Sequence, residues 1–184
     1  MAYFQLDQEW LMEILENKEH WSTDYQDIWV ATRQATGKSD WSIYQKPKNS
    51  TAPGRPGVKL SQSRLLLISS AGGYLPASQQ PFDAVSPFGD YTLRTFPSDI
   101  SFGALAYAHD HYPHDMIDRD PQVALPLGHL AELVNAGAIG SLSPSVASFM
   151  GYQPDAARVV DELVPQIVAL AKQEAAEAAL LAPL

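Results

Sequence analysis

Three of the five histidines in this chain fall in one short stretch, Tyr107 to Asp120, which reads YAHDHYPHDMIDRD. Within it His109, His111 and His114 alternate with Asp110, Asp115, Asp118 and Asp120. Imidazole changes charge near neutral pH and carboxylates accept hydrogen bonds, so these residue types suit proton transfer or the binding of a small polar substrate. They also suit a divalent metal, for which His109, His111, His114 and Asp118 form the candidate ligand set. On an extended backbone His109 and His111 project to the same side, because strand side chains repeat every two residues. Neither HEXXH nor an EF-hand loop is present. The structural alternative is a polar loop whose His and Asp groups bond one another and cap the next element.

Other chemistry is thinner. The sequence has no cysteine, which removes disulfides, thiolate nucleophiles and thiolate metal sites from these residues. Ser69-Ser70-Ala71-Gly72-Gly73 could offer backbone amides to an anion, but GXGXXG and GXXXXGK[ST] are both missing, so a tight turn after a strand is the simpler reading. Ser141, Ser143, Ser145 and Ser148 have no GXSXG elbow to raise them as nucleophiles. Trp10, Trp21, Trp29 and Trp41 lie in the first part of the chain, where packing or a dimer contact is expected of them, and this points to a homo-oligomer.

The elements that must position these groups follow from periodicity. Residues 5–17 and 24–35 carry apolar side chains at helical spacing, with Asp24 or Ser22 as N-cap and Gly37 as the stop of the second run. Lys46 to Gly57 holds three prolines and two glycines and reads as a linker. It separates a helical N-terminal segment, residues 1–60, from an α/β domain, residues 61–184. Arg64 to Ser69 (RLLLIS) is a continuous apolar run suited to a strand buried on both faces of a parallel sheet. Tyr91 to Phe96 predicts a second strand and Gly103 to Ala108 a third short element. Pro126 to Ala136 predicts a helix ended by Gly137, and Ile139 to Met150 a turn of small residues. Asp155 to Glu177 predicts a helix kinked or split by Pro165, and Ala178 to Leu184 a buried strand. The alternation implies an α/β fold with a mostly parallel sheet and flanking helices.

Composition narrows the partners. The net charge is −9, and residues 61–184 hold 13 acidic against 5 basic groups, a field that repels nucleic acid. No apolar run approaches the ~20 residues of a membrane helix, and no secretion signal opens the chain. A soluble cytoplasmic protein is expected, with neither membrane nor nucleic acid as partner.

From residue 64 onward several short blocks occur in a fixed order: RLLLISSAGGYL, the PFD at Pro81 to Asp83, FGDYTLRTFPSDI, AHDHYPHDMIDRD, VALPLGHLAELVNAGAIGSLS and SFMGY. This series resembles the selenoprotein B family of glycine, sarcosine, betaine and D-proline reductases, over about residues 64–184. The resemblance implies reductive cleavage of a small amino-acid-like substrate. In that family a selenocysteine or cysteine attacks the activated carbon, and thiols or partner reductase subunits restore the resting state. It implies no separate cofactor in this chain. By the same resemblance His109, His111 and His114 are candidate substrate or proton-transfer groups, with Asp99 and Asp110 as orienters. The family keeps its redox residue shortly after a strand like Ala179-Leu180-Leu181-Ala182-Pro183-Leu184, so these residues are expected to stop short of it, as an in-frame selenocysteine codon read as a stop would produce. Ligands of open parallel sheets bind beyond the carboxyl ends of the strands, and a nucleophile after Leu184 would therefore sit in the expected place. A metal-dependent enzyme built on the His/Asp segment, and a non-catalytic binding or assembly subunit, are the alternatives.

Overall fold

The three consecutive leucines of RLLLIS leave no polar face, so the strand they form has to be covered on both sides. The computed structural model describes residues 15–45, 49, 57–110 and 112–184. Packing divides the chain into two units: one up to residue 56 together with Asp155–Glu162, the other Gly57–Pro154 with Leu163–Leu184. Residues 155–162, placed by sequence in the domain after residue 61, thus pack with the N-terminal part.

The larger unit is α/β. Its central strand β1, Arg64–Ser69, buries Leu65, Leu66 and Leu67, each worth about 1.5–3 kcal/mol relative to exposure. Two further strands enter here: β2, Gly73–Tyr74, and β3, Arg94–Pro97. They are followed by β4, Ala106–Tyr107, β5, Ser141–Leu142, β6, Ser145–Ser148, and β7, Ala178–Ala182. β5 and β6 pair in succession along one edge of β1, Arg64 opposite Ser141 and Ser69 opposite Ser148, both parallel. β7 runs parallel along the other edge, from Leu65 opposite Ala178 to Ser69 opposite Ala182. β3 closes the far side antiparallel to β6, and β2 with β4 makes a separate antiparallel pair.

Four expectations change. The strand expected to be buried at Ala178 to Leu184 forms as β7 but lies open, with Leu180 and Leu181 exposed, because β1 is the one strand it pairs with among the described residues. Residues 139–150 are not a turn segment: they supply β5 and β6, with Val146, Ala147 and Ser148 fully buried. Small side chains gave no apolar signal there, although the backbone of Ser143 still bonds β1, its N–H donating to Leu65 O at 2.8 Å. The second strand is Arg94–Pro97, set slightly later than Tyr91 to Phe96 and antiparallel. Gly103 to Ala108 divides into a 3₁₀ turn at Phe102–Ala104 and then β4.

Among the helices of this unit, α3 is Asp115–Arg119, and α4, Leu127–Asn135, buries Leu127 and Leu130 and ends before Gly137 at φ 72°. Helical positive-φ stops favour glycine because it has no Cβ. The stretch from Asp155, expected as a helix kinked or split by Pro165, runs as α5, Ala156–Arg158, a π-helical stretch Val159–Leu163, and α6, Val164–Gln173, so its change of winding comes before the proline. Pro165 sits in the first turn of α6, where its missing N–H is not needed.

In the smaller unit helical turns run from α1, Lys18–Asp24, through a π-helical stretch, Tyr25–Val30, into α2, Ala31–Thr36, which Gly37 ends at φ 73°. Ser22 and Asp24 lie inside these turns and cap nothing, since the helix starts after Asn17. Leu15, Trp21, Tyr25, Trp29, Ile43 and Val160 form the core. Trp41 is half exposed, its ring 6.1 Å from that of Trp29. Trp10, most of the expected first helix and most of the linker lie outside the described residues.

Candidate functional site

Parallel strands deliver their side chains and chain ends to one edge, and here three of them converge. β1 leads into Ser70-Ala71-Gly72, β6 into Phe149-Met150-Gly151, and β7 into Pro183-Leu184. Ser70 ties the three together. Its N–H donates to Ala182 O at 3.2 Å and its carbonyl accepts Gly151 N–H at 2.9 Å. The Ser70 hydroxyl accepts the Leu184 N–H at 2.9 Å and donates to Leu184 O at 3.3 Å.

The His-rich segment folds onto this edge because of Gly72. At φ 71° a Cβ on Gly72 would stand 2.5 Å from Ala108 O, so only glycine admits the close approach. Gly72 O in turn accepts the Ala108 N–H at 2.9 Å. The next residue, His109, is 3% exposed. Its ring lies 4.7 Å from Tyr112, and the Tyr112 ring stacks at 4.9 Å on His114. Tyr112 OH donates to Ala71 O at 2.7 Å, and His114 Nε2–H donates to His109 O at 2.7 Å. A carbonyl oxygen carries no proton, so this bond places the hydrogen of His114 on Nε2.

Gly151 sets the spacing between imidazole and strand end. The point a Cβ would occupy there is 3.2 Å from His109 Nε2, from Leu184 O and from Ser70 Cβ alike. A side chain at 151 would therefore press on all three. Burial pushes the Tyr107 phenol up to about 12, and burial together with the neighbouring Tyr107 raises Tyr112 as well. Both phenols stay protonated at neutral pH, which makes them hydrogen-bond donors and not bases. The arrangement as a whole offers a water-shielded imidazole at the carboxyl edge of the sheet, a place fitted to give or take a proton.

The candidates named from sequence are divided by the fold. His109 and His114 are brought together, and His111 lies outside the described residues. Asp110 and Asp118 are exposed, the latter on α3. Asp99 is also exposed and follows Pro97, the residue of β3 opposite Ser145, which puts it at the other end of the sheet from His109. Among the described residues no three His, Asp or Glu side chains gather as metal ligands. Ser143 and Ser148 are buried in the sheet region, and the Ser69 hydroxyl is spent on Ala124 O at 2.9 Å. Sequence reasoning missed Ser70, Tyr112 and Gly151 as builders of the site; the glycines closing RLLLISSAGG and SFMGY were the signal for two close approaches.

Comparison with family models, with curated proteins and with solved structures returns no match to this chain. No helix among the described residues is long and apolar enough to cross a membrane.

Proposed function

We propose that this chain handles the substrate of a selenol- or thiol-dependent reductase that cleaves small amino-acid-like molecules, the reaction class of the glycine, betaine and D-proline reductase B subunits it resembles. One observation carries the reading: the carboxyl end of β7 and the buried imidazole of His109 meet at Gly151, each with an atom 3.2 Å from the same point. A selenol or thiol arriving at the end of β7 would stand beside a group able to protonate the amine that leaves. As the selenium or sulfur bonds to carbon, the carbon–nitrogen bond breaks and its electron pair departs with nitrogen; where that nitrogen is an uncharged primary or secondary amine, as with glycine or D-proline, His109 supplies the proton. An external thiol then attacks the selenium or sulfur, the bond to carbon breaks with its electron pair going to the carbon, which takes a proton and leaves as the reduced product, and a second thiol reduces the resulting selenenyl sulfide or disulfide. None of the 184 residues is cysteine, so the attacking atom is supplied from outside them.

The test is expression of the chain extended after Leu184 by a segment that carries cysteine or selenocysteine, followed by assay of thiol-dependent cleavage of glycine, betaine and D-proline. Turnover that drops roughly 100-fold in His109→Gln is the expected result, in the range of a lost proton-transfer group. Absence of turnover in every extended form, or full turnover in His109→Gln, would reject the proposal.

A further inference from the structure

We infer that Ser70 is a positioning residue whose hydroxyl holds the end of β7 at a fixed distance from His109; its catalytic consequence rests on the reading above. The β1–β7 ladder stops at Ser69 opposite Ala182, and the next residue of β7, Pro183, has no N–H with which to continue it. From there the Ser70 side chain takes over the work of the backbone: the hydroxyl binds both the N–H and the carbonyl of Leu184.

An ordinary core serine satisfies its hydroxyl on a nearby carbonyl, as Ser63 does on Lys59 O at 3.0 Å. Ser70 instead reaches a residue 114 positions away in sequence and grips both of its polar backbone groups. It is 6% exposed, so water competes poorly for these bonds. Gly151, bonded to the Ser70 carbonyl, presents the open spot that separates His109 Nε2 from Leu184 O. One residue therefore fixes the lateral position of β7 through its hydroxyl and that of β6 through its carbonyl. Losing the hydroxyl frees the end of β7 while the ladder below it stays paired. A misplacement of about 1 Å near reacting atoms costs on the order of 100-fold in rate.

The first arm of the test uses the 184-residue chain and does not depend on activity. Amide hydrogen exchange is followed at Leu184 and at Leu180, together with the nuclear Overhauser effect between the His109 ring and Leu184. In Ser70→Ala, Leu184 exchange should rise about 10-fold or more and the His109–Leu184 effect vanish, with Leu180 unchanged, as expected for one lost hydrogen bond at a strand end. Ser70→Thr, which keeps a hydroxyl, should restore both. Should Ser70→Ala fail to fold, Ser70→Cys, whose thiol is a weak hydrogen-bond partner, should raise Leu184 exchange and weaken the same effect. Unchanged Leu184 exchange and an intact His109–Leu184 effect in these variants would overturn the inference.

The second arm uses the extended chain. Ser70→Ala should lower kcat about 10-fold or more with KM unchanged, and Ser70→Thr should recover it. An altered KM with kcat intact would count against a positioning role. A wholly inactive extended chain would sink the functional reading, leaving the exchange measurements to decide the role of Ser70 by themselves.

Discussion

At the amino end of the parallel strands Thr95, Pro97, Ser98, Asp99, Pro144 and Ser145 line an open hollow of about 550 Å³, whereas at the carboxyl end Ser70, Gly72, Gly151 and the His109 ring are packed to within a few ångström of one another. The hollow has room and an exposed carboxylate. The packed end has a buried imidazole, two neutral phenols and three converging strand ends. Room favours the hollow, whereas the shielded and firmly held imidazole on which the proposed function draws lies at the carboxyl end.

A pair of glycine substitutions tests this contrast most severely. Gly72→Ala combines a positive φ with backbone 2.5 Å away, and should cost about 3 kcal/mol or more in denaturant unfolding. Gly140→Ala, at the amino end, would press on Ser63 backbone at 2.8 Å and should also destabilise, by about 2 kcal/mol. Only the first should move the His109 resonances; equal perturbation of His109 by both would erase the distinction between the ends.

Asp90, in the loop that leads into β3, comes next in size. Burial works against its charge, yet the Thr92 hydroxyl, the amides of Asp83 and Thr92 and the nearby Arg94 together hold its carboxyl below the usual range. A depressed acid stabilises the fold fully above its unfolded value, near 3.8, and that contribution is lost as pH falls through the folded value. Solvent screens this half-exposed carboxylate, so Asp90→Asn should cost no more than about 1 kcal/mol at pH 7 and flatten the acid limb of the stability curve below about pH 4. An acid limb identical to that of the parent would show the carboxylate to be idle.

The two phenols should part company under the same measurement. Tyr112→Phe removes a bond to Ala71 O and should cost about 1 kcal/mol at pH 7. Tyr107 OH is buried without a partner among the described residues, so Tyr107→Phe should change stability at pH 7 by less than about 0.5 kcal/mol. Its folded value is raised to about 12, so the neutral phenol stabilises fully below the unfolded value of 10.0 and the contribution disappears between 10 and 12. Alkaline unfolding should accordingly begin at higher pH in Tyr107→Phe than in the parent. The smallest effect belongs to Asp99→Ala, exposed at the hollow, where stability should shift by no more than about 0.5 kcal/mol and the His109 spectrum not at all.

How far the residues foretell this architecture depends on side-chain size and on chain direction. β1 was readable because its Leu-rich run has nowhere to go except a covered sheet, and α4 because its leucines recur at helical spacing before a glycine; β7 was readable as a strand but not as the exposed one it is. β5 and β6 were not, since Ser141, Ser143, Ser145 and Ser148 are as common in loops as in strands; what makes them strand residues is their pairing with β1, more than 70 positions away in the sequence. The site shows the same division. His109 and His114 were evident from residue type alone. Asp99 was grouped with them through the family resemblance of its block, but the reversed direction of β3 carries it to the opposite end. Ser70 looked like part of a glycine-rich turn, and its partner Leu184 could be known only once β7 was laid beside β1.

The Nε2–H of His114 is committed to the His109 carbonyl. The same ring stacks on Tyr112 at 4.9 Å, so one side chain clasps both the main chain of His109 and the phenol that leans on its imidazole.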